Sequence, residues 1–148
     1  MSIFNAINIS ASGLTAERLR MDVVSKNIAN ADTTSTVNGG PYRRQVVVFK
    51  SQDHSSFSQV LNNVVNDVSQ KKLKGVEVVG IRNDNSPFKQ VYDPGHPDAN
   101  EEGYVLMPNV EIVTEMANLI SASRAYEANI TAMNATKSMA LKALEIGR

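Results

Sequence analysis

Residues 108–148, PNVEIVTEMANLISASRAYEANITAMNATKSMALKALEIGR, decide the fold. After Pro108 neither proline nor glycine recurs until Gly147, so nothing in the interval interrupts a helix. Ile112, Met116, Leu119, Ile120, Tyr126, Ile130, Met133, Leu141 and Leu144 follow a three-and-four rhythm that predicts a single apolar side. Asn109 and Glu111 give a polar, acidic first turn, and Gly147 supplies the stop. At about 1.5 Å per residue the result is a rod roughly 55 Å long, more than a compact domain of this size needs. Ser123 and Lys137 dilute the stripe, and alanines such as Ala117, Ala122, Ala125 and Ala128 crowd both faces. Small side chains let other helices come close, so this helix is expected to pack against several neighbours.

Working outward, residues 3–30 are the second long helical stretch. Ile7, Leu14, Met21 and Ile28 recur every heptad, with Ile3, Ala11 and Val24 between them. Gly13 lies inside, at a cost of about 1 kcal/mol relative to alanine. Ser10, Glu17 and Arg18 weaken the inner positions, which leaves three readings: a partner for the C-terminal helix, an amphipathic helix of a bundle, or a membrane-surface helix. The mixed charges speak against the last.

Between the helices the chain reads as short strands and turns. Asn38-Gly39-Gly40-Pro41 is a turn signal, and Gln45 to Phe49 is rich in β-branched residues. A weak helical spacing links Val60, Leu61, Val64, Val65 and Val68, and Lys71, Lys72 and Lys74 precede Gly75 as a solvated turn. Val76 to Ile81, Phe88 to Tyr92 and Gly103 to Met107 are further strands, separated by a turn at Asn83 to Pro87 and a proline-rich stretch from Asp93 to Asp98. The expected fold is therefore α+β. Long N- and C-terminal helices pair as a coiled-coil-like hairpin (1–32 and 108–148), with a β-rich module (33–107) between them that carries a variable loop at 50–75.

The totals narrow the function. Fifteen basic and fifteen acidic residues cancel, so no global field recruits nucleic acid or anionic lipid. Without cysteine there are no disulfides, no thiol chemistry and no cysteine-ligated zinc. No basic residue precedes Arg18 and no apolar run follows Met1, so a cleaved secretory leader is not expected, nor is a membrane span.

Catalytic patterns find no support. His54 and His96 lie far apart, and the carboxylates are scattered. Asp93, His96, Asp98, Glu101 and Glu102 could gather round a divalent ion, but an acidic, proline-punctuated loop is more simply a surface loop. Arg43-Arg44 could contact phosphate, or form a structural pair at a strand start. Asn8, Asn129 and Asn134 open glycosylation triplets, yet all three fall on predicted helices. No glycine-rich phosphate loop or nucleophile elbow occurs, and no enzyme, cofactor or metal is expected.

Two long helices with diluted stripes bury too little against each other alone. They are expected to be mobile in a lone chain and to gain order on assembly. A repeated head-to-tail contact builds a ring or helical stack.

At this point particular residues carry a resemblance. Ser25-Lys26-Asn27-Ile28-Ala29-Asn30-Ala31-Asp32-Thr33 with Tyr42-Arg43 resembles the N-terminal signature of the flagellar rod and hook proteins. Val91-Tyr92-Asp93-Pro94, Asp98-Ala99-Asn100, Gly103-Tyr104-Val105 and Met107-Pro108-Asn109-Val110 are similar to the proximal rod branch of that family. So are Glu115-Met116, Ala122 to Asn129, and Lys137-Ser138-Met139, whereas residues 50–75 match weakly. Gly39-Gly40-Pro41 before Tyr42 departs from the family's shorter Gly-Tyr-x-Arg form.

The resemblance implies a structural subunit of the basal-body rod, the drive shaft that carries motor torque to the hook. Paired terminal helices would line a tube, with the β-rich part outside. Its partners would be other rod proteins, copies of itself and the flagellar type III export apparatus, in the space between membrane and cell surface. The expected subunit contacts are Ile7, Leu14, Met21, Asn27, Ile28, Asn30, Tyr42 and Arg43 from the first half. From the second half they are Met116, Ile120, Arg124, Tyr126, Glu127, Asn129, Ile130, Met133, Leu141 and Leu144, with Arg124 and Glu127 able to pair three residues apart. The competing readings are another axial component, a wall-remodelling enzyme and a cytosolic helical adaptor.

Overall fold

Uninterrupted helix formers at the two ends give the two long elements of the computed structural model, which describes residues 3–37, 39–52 and 74–146. Helix α1 spans Ile3–Ala29 and helix α2 spans Ile112–Ile146. Between them lie β1 (Gln45–Ser51), β2 (Val76–Asn83), β3 (Lys89–Tyr92) and β4 (Tyr104–Met107). The weak helical spacing at Val60 to Val68, the pair Lys71-Lys72 and the Gly147 stop lie outside the described residues.

Each helix end has an identifiable cause. Asn30 closes α1: its side-chain Nδ2 and its backbone N both donate to the Lys26 carbonyl, at 2.9 and 3.2 Å. Helix α2 starts at Ile112, later than the polar stretch from Asn109 predicts. The Glu111 carbonyl accepts the first helical bond from Glu115 N, and Glu111 Oε2 accepts from the Thr114 hydroxyl at 2.9 Å. Asn109 is engaged elsewhere, bridging the strands.

The helices run antiparallel. Asn27 touches Glu115, and a Cβ built on Gly13 would stand 3.0 Å from Asn129 Nδ2. The step from Asn27 back to Gly13 equals the step from Glu115 forward to Asn129. In this register Ile3 comes level with Met139. On α2 a covered row runs through Glu115, Leu119, Ala122, Tyr126, Asn129, Met133, Thr136 and Ala140, in alternating steps of four and three, with Asn118, Ser123, Ala125 and Ile130 half-buried beside it. On α1, Gly13, Glu17, Arg20, Val24 and Asn27 share one side at the same spacing, and Ile7, Leu14, Met21 and Ile28 form a half-buried row beside it.

This corrects the predicted stripe. Leu119, Tyr126, Ile130 and Met133 are half-buried, but Ile112, Met116, Ile120, Leu141 and Leu144 are exposed. The inner face is narrow because it is lined by small and polar groups: Gly13 and Ala16 on one helix, Ala122 and Asn129 on the other. Large side chains do not fit so close an approach and face outward instead.

Helix α1 also carries the sheet. Strands β1 and β2 pair antiparallel from Gln45 opposite Asn83 to Ser51 opposite Val76, with a bulge that leaves Val79 unpaired. The Gln45 backbone is held by Asn27, while at the far end Val76 N donates to Ser12 Oγ at 3.1 Å. The lengths match: seven residues of β1 cover about 23 Å, and α1 from Asn27 back to Ser12 covers about 22 Å. Gly75 is required there, since a Cβ would lie 2.5 Å from Ser12 Oγ.

Strands β3 and β4 form a second antiparallel pair, with Tyr92 opposite Tyr104 and their rings edge to face at 5.3 Å. Asp98 Oδ2 accepts from the Thr34 hydroxyl at 2.7 Å, and Arg43 stacks over Phe88 at 4.2 Å, tying this hairpin to the rest.

Candidate assembly surface and the polar junction behind it

The C-terminal end of α1, the start of β1, the turn after β2 and the start of α2 converge on one polar cluster. Asn27 is its centre and is fully buried. Its Oδ1 accepts from Tyr42 OH and from Gln45 N, each at 2.9 Å, and its Nδ2 donates to the Gln45 carbonyl and to Glu115 Oε2, each at 2.8 Å. Both donor hydrogens and both lone pairs of the amide are thus used.

Glu115, also fully buried, is the cluster's charge. Its Oε1 accepts from Arg44 Nη2 at 2.8 Å, Arg44 Nε at 3.0 Å and Asn118 Nδ2 at 3.3 Å. Arg44 reaches onward to Asp84 Oδ2 at 3.1 Å. Burial alone would lower the Arg44 pKa, but its bonds to Glu115 and Asp84 outweigh burial and raise it. Asp84 is held below the usual carboxylate range by the Ser86 hydroxyl, the Ser86 backbone and then Arg44. Burial, and after it the Glu115 charge, pushes the Tyr42 phenol up. Asn109 completes the junction, with Oδ1 accepting from Arg44 N at 2.9 Å and Nδ2 donating to the Asp84 and Ser86 carbonyls at 3.2 and 3.3 Å.

The residues expected at subunit contacts therefore fall into separate groups. Asn27 and Tyr42 lie inside the chain, Asn30 caps α1, and Arg43 donates to the Asp84 carbonyl at 3.0 Å. Tyr126, Asn129, Ile130 and Met133 lie half-buried along the helix pair, like Ile7, Leu14, Met21 and Ile28. Met116, Ile120, Arg124, Glu127, Leu141 and Leu144 are exposed, and no ion pair joins Arg124 to Glu127 among the described residues. Glu115, Asp84 and Asn109 were missed as junction residues, whereas the reading of Arg43-Arg44 as a structural pair at a strand start agrees with where both stand. A signal existed for Glu115, a lone carboxylate within an apolar helical stripe.

What remains on the outside is a row of large apolar side chains on α2, Val113, Met116 and Ile120, with Ile112 beside it. A contiguous exposed apolar row is what a contact surface requires. Elsewhere the polar groups serve local turns: Asp93 Oδ1 accepts from Gly95 N, and His96 Nδ1 accepts from Asp98 N. Among the described residues no three or more His, Asp or Glu gather as a metal would need. No described helix is long and apolar enough to cross a membrane.

Comparison with known proteins gives the family. Residues 7–35 match the family profile described as "Flagella basal body rod protein", and residues 101–146 match "Flagellar basal body rod FlgEFG protein C-terminal". The chain is 54% identical to the flagellar basal-body rod protein FlgC of Bacillus subtilis (strain 168), over the whole of both chains. It is 46% identical to FlgC of Borreliella burgdorferi, covering 99% of this chain and 98% of the relative. With FlgC of Escherichia coli O157:H7 the identity is 40%, again over both whole chains. The chain belongs to the FlgC family of flagellar basal-body rod proteins.

Proposed function

We propose that this protein is a structural subunit of the flagellar basal-body rod, acting through shape and contact and not through catalysis. The paired helices form the axial part, coiled-coil-like in the spacing of their shared face, and residues 33–107 form a module outside it. One observation carries the reading: the helix pair is closed with glycine, alanine and a buried hydrogen bond from Asn27 to Glu115, while isoleucine, methionine and valine on α2 face outward. A lone soluble chain gains nothing from that distribution, whereas a subunit surrounded by others does.

Other rod proteins and further copies of this chain cover the outward row, and the ends become fully ordered once they do so. The chain reaches the rod through the flagellar export apparatus. Once assembled, the rod transmits torque from motor to hook. Deleting residues 120–148 is expected to abolish swimming in soft agar and to remove the protein from purified basal bodies. A truncated chain that still assembled and supported motility would overturn the proposal.

A further inference from the structure

Helix α1 has three sides, and within the chain only two are covered. Ser12 bonds to β2, and Ala16, Leu19 and Val23 share its side under the sheet. Gly13 and Asn27 meet α2, with Glu17, Arg20 and Val24 along the same side. At about 100° per residue the third side carries Leu14, Met21 and Ile28, an apolar row of heptad spacing, with the exposed Arg18 beyond it. Glu17 stands where that row meets the α2 side. Its side chain is 19% exposed, and its Oε2 has no hydrogen bond among the described residues.

The back of α2 carries the complement of this side. Val113, Ile120 and Arg124 lie together on its exposed surface, away from α1, and Glu127 follows within a turn. Among the described residues Arg18, Arg124 and Glu127 make no ion pair. From Glu17 forward to Met21 and Ile28 the steps are four and seven; from Arg124 back to Ile120 and Val113 they are again four and seven. Set antiparallel, the two rows put Arg124 beside Glu17, Ile120 on Met21 and Val113 on Ile28, with Glu127 within a turn of Arg18. Past Glu127 the back of α2 turns polar, at Thr131 and Asn134, so the match is confined to residues 17–28 and 113–127.

We propose that the third side of α1 is covered by the back of α2 from a second copy of this chain standing beside the first. The inference rests on the rod reading above and names the partner of one of its surfaces. Charge complementarity selects the copy: an acid and a base on α1, Glu17 and Arg18, face a base and an acid on α2, Arg124 and Glu127. Arg124 supplies the donors that the Glu17 carboxylate lacks in the lone chain, once rotation about its last bond turns the bare oxygen outward. Polarity agrees as well. An incoming α2 antiparallel to α1 runs the same way as the α2 already there, so both copies point in one direction, as subunits repeated around an axis must. Their heights also match. Asn27 is level with Glu115 within the chain, which puts Ile28 level with Thr114, whereas the contact puts Ile28 level with Val113 of the next copy. That is an offset of one residue, about 1.5 Å along the helix. The surface that gives and the surface that receives differ, so the contact repeats from copy to copy without closing a dimer.

The test uses the full chain in cells and exchanges the two exposed charges. Arg18→Glu sets two acids together in the contact, and Glu127→Arg sets two bases together. Both positions are exposed, so the isolated variants are expected to melt like the parent. Each single variant is expected to be recovered in purified basal bodies about tenfold less than the parent, because like charges facing each other across an interface repel strongly. The double variant restores the pair and is expected to be recovered normally. Arg18 points away from the α2 of its own chain, so rescue reports a contact between copies. A second readout uses the absence of native cysteine. Met21→Cys in one copy and Ile120→Cys in a co-expressed copy are expected to give a disulfide-linked dimer when basal bodies are oxidised, and neither variant alone gives it. Normal recovery of the single charge variants, failure of the double to rescue, or no dimer from the cysteine pair sinks this inference and leaves the rod reading standing. Absence of the unsubstituted protein from basal bodies sinks the rod reading itself.

Discussion

The Asn27 side chain donates to Glu115 Oε2 over 2.8 Å, joining the end of one helix to the start of the other with both side chains sealed from solvent. Four groups depend on that amide: Tyr42 OH, the Gln45 N–H, the Gln45 carbonyl and Glu115. Asn27→Ala leaves several of them buried without partners, and each such group costs about 1–3 kcal/mol. Asn27→Asp sets a second carboxylate against Glu115 and removes a donor, so it is expected to be worse. Urea denaturation of the two variants should give that order, and a loss below about 1 kcal/mol for Asn27→Ala would show that the cluster rearranges freely.

Glu115 and Arg44 extend the same argument to charge. Removing one member of a buried pair strands the other, at about 3–5 kcal/mol, while replacing both with apolar groups of similar size can be close to neutral. Arg44→Ala strands the buried Glu115 and is expected to cost the most, whereas Glu115→Ala leaves Arg44 a quarter exposed and still paired with Asp84 and costs less. Glu115→Leu with Arg44→Met recovers only part of the loss, because Asn27 Nδ2 loses its acceptor. A double-mutant cycle on the denaturation midpoints measures the coupling. Additive losses would mean that the two side chains do not act as a unit.

The junction also sets the response to pH. Asp84 has a folded-state pKa below its ordinary value of 3.8, so its contribution is present above that value and is lost as pH falls towards the lowered one. Tyr42 has the opposite sign. Its pKa is raised above 10.0, so its contribution is present below 10.0 and is lost as pH rises through the raised value. Asp84→Asn should flatten the acid limb of a plot of stability against pH, and Tyr42→Phe the alkaline limb. Each substitution is expected to leave the other limb unchanged.

The helices and strands were legible because their causes are local. β-branched runs marked β1 and β2, and the absence of proline and glycine marked α2. Asn109 misled the start of α2 because its hydrogen-bond partners, Arg44 N and the carbonyls of Asp84 and Ser86, come from other elements. The inner face of α2 was misread for a related reason. Apolar periodicity weights isoleucine and methionine, whereas close approach between helices selects small residues such as Gly13 and Ala122. Arg44 and Glu115 stand too far apart in sequence for any spacing rule to couple them.

Two glycines should separate by what stands opposite them. At Gly75 an added Cβ meets Ser12 Oγ at 2.5 Å, a short side chain already bonded to Val76 N and the Ile9 carbonyl. Gly75→Ala is expected to cost about 1–3 kcal/mol through overpacking. At Gly13 the obstacle is the amide end of Asn129, 3.0 Å away and held by a single bond from its Nδ2 to the Ala125 carbonyl, and the strain of shifting it is offset by about 1 kcal/mol of helix propensity gained by alanine. Gly13→Ala should therefore be close to neutral, and thermal melts of the two variants compare the cases directly.

Glu17 tests the helix pair from within. Its Oε2 is buried without a hydrogen bond among the described residues, and Arg20 Nη1 stands 3.7 Å away, near enough for attraction but too far to donate. A carboxylate in that position opposes folding of the isolated chain, so Glu17→Gln is expected to raise its stability by about 1 kcal/mol. A lower melting temperature would mean that the Arg20 attraction outweighs the missing bond.

The outward row separates folding from assembly. Met116 and Ile120 are more than half exposed, so Met116→Ser with Ile120→Ser removes little buried area. Surface changes of this kind usually shift stability by no more than about 0.5 kcal/mol. The same side chains, covered by a neighbour, would each contribute about 1.5–3 kcal/mol by leaving water. For two residues that is enough to reduce incorporation by more than tenfold, because about 1.4 kcal/mol already corresponds to a factor of ten. The doubly substituted protein should therefore melt like the parent and yet be lost from basal bodies and fail to restore swimming. If it assembled normally, the row would be solvent-facing in the rod, and the contacts between subunits would have to lie on other surfaces.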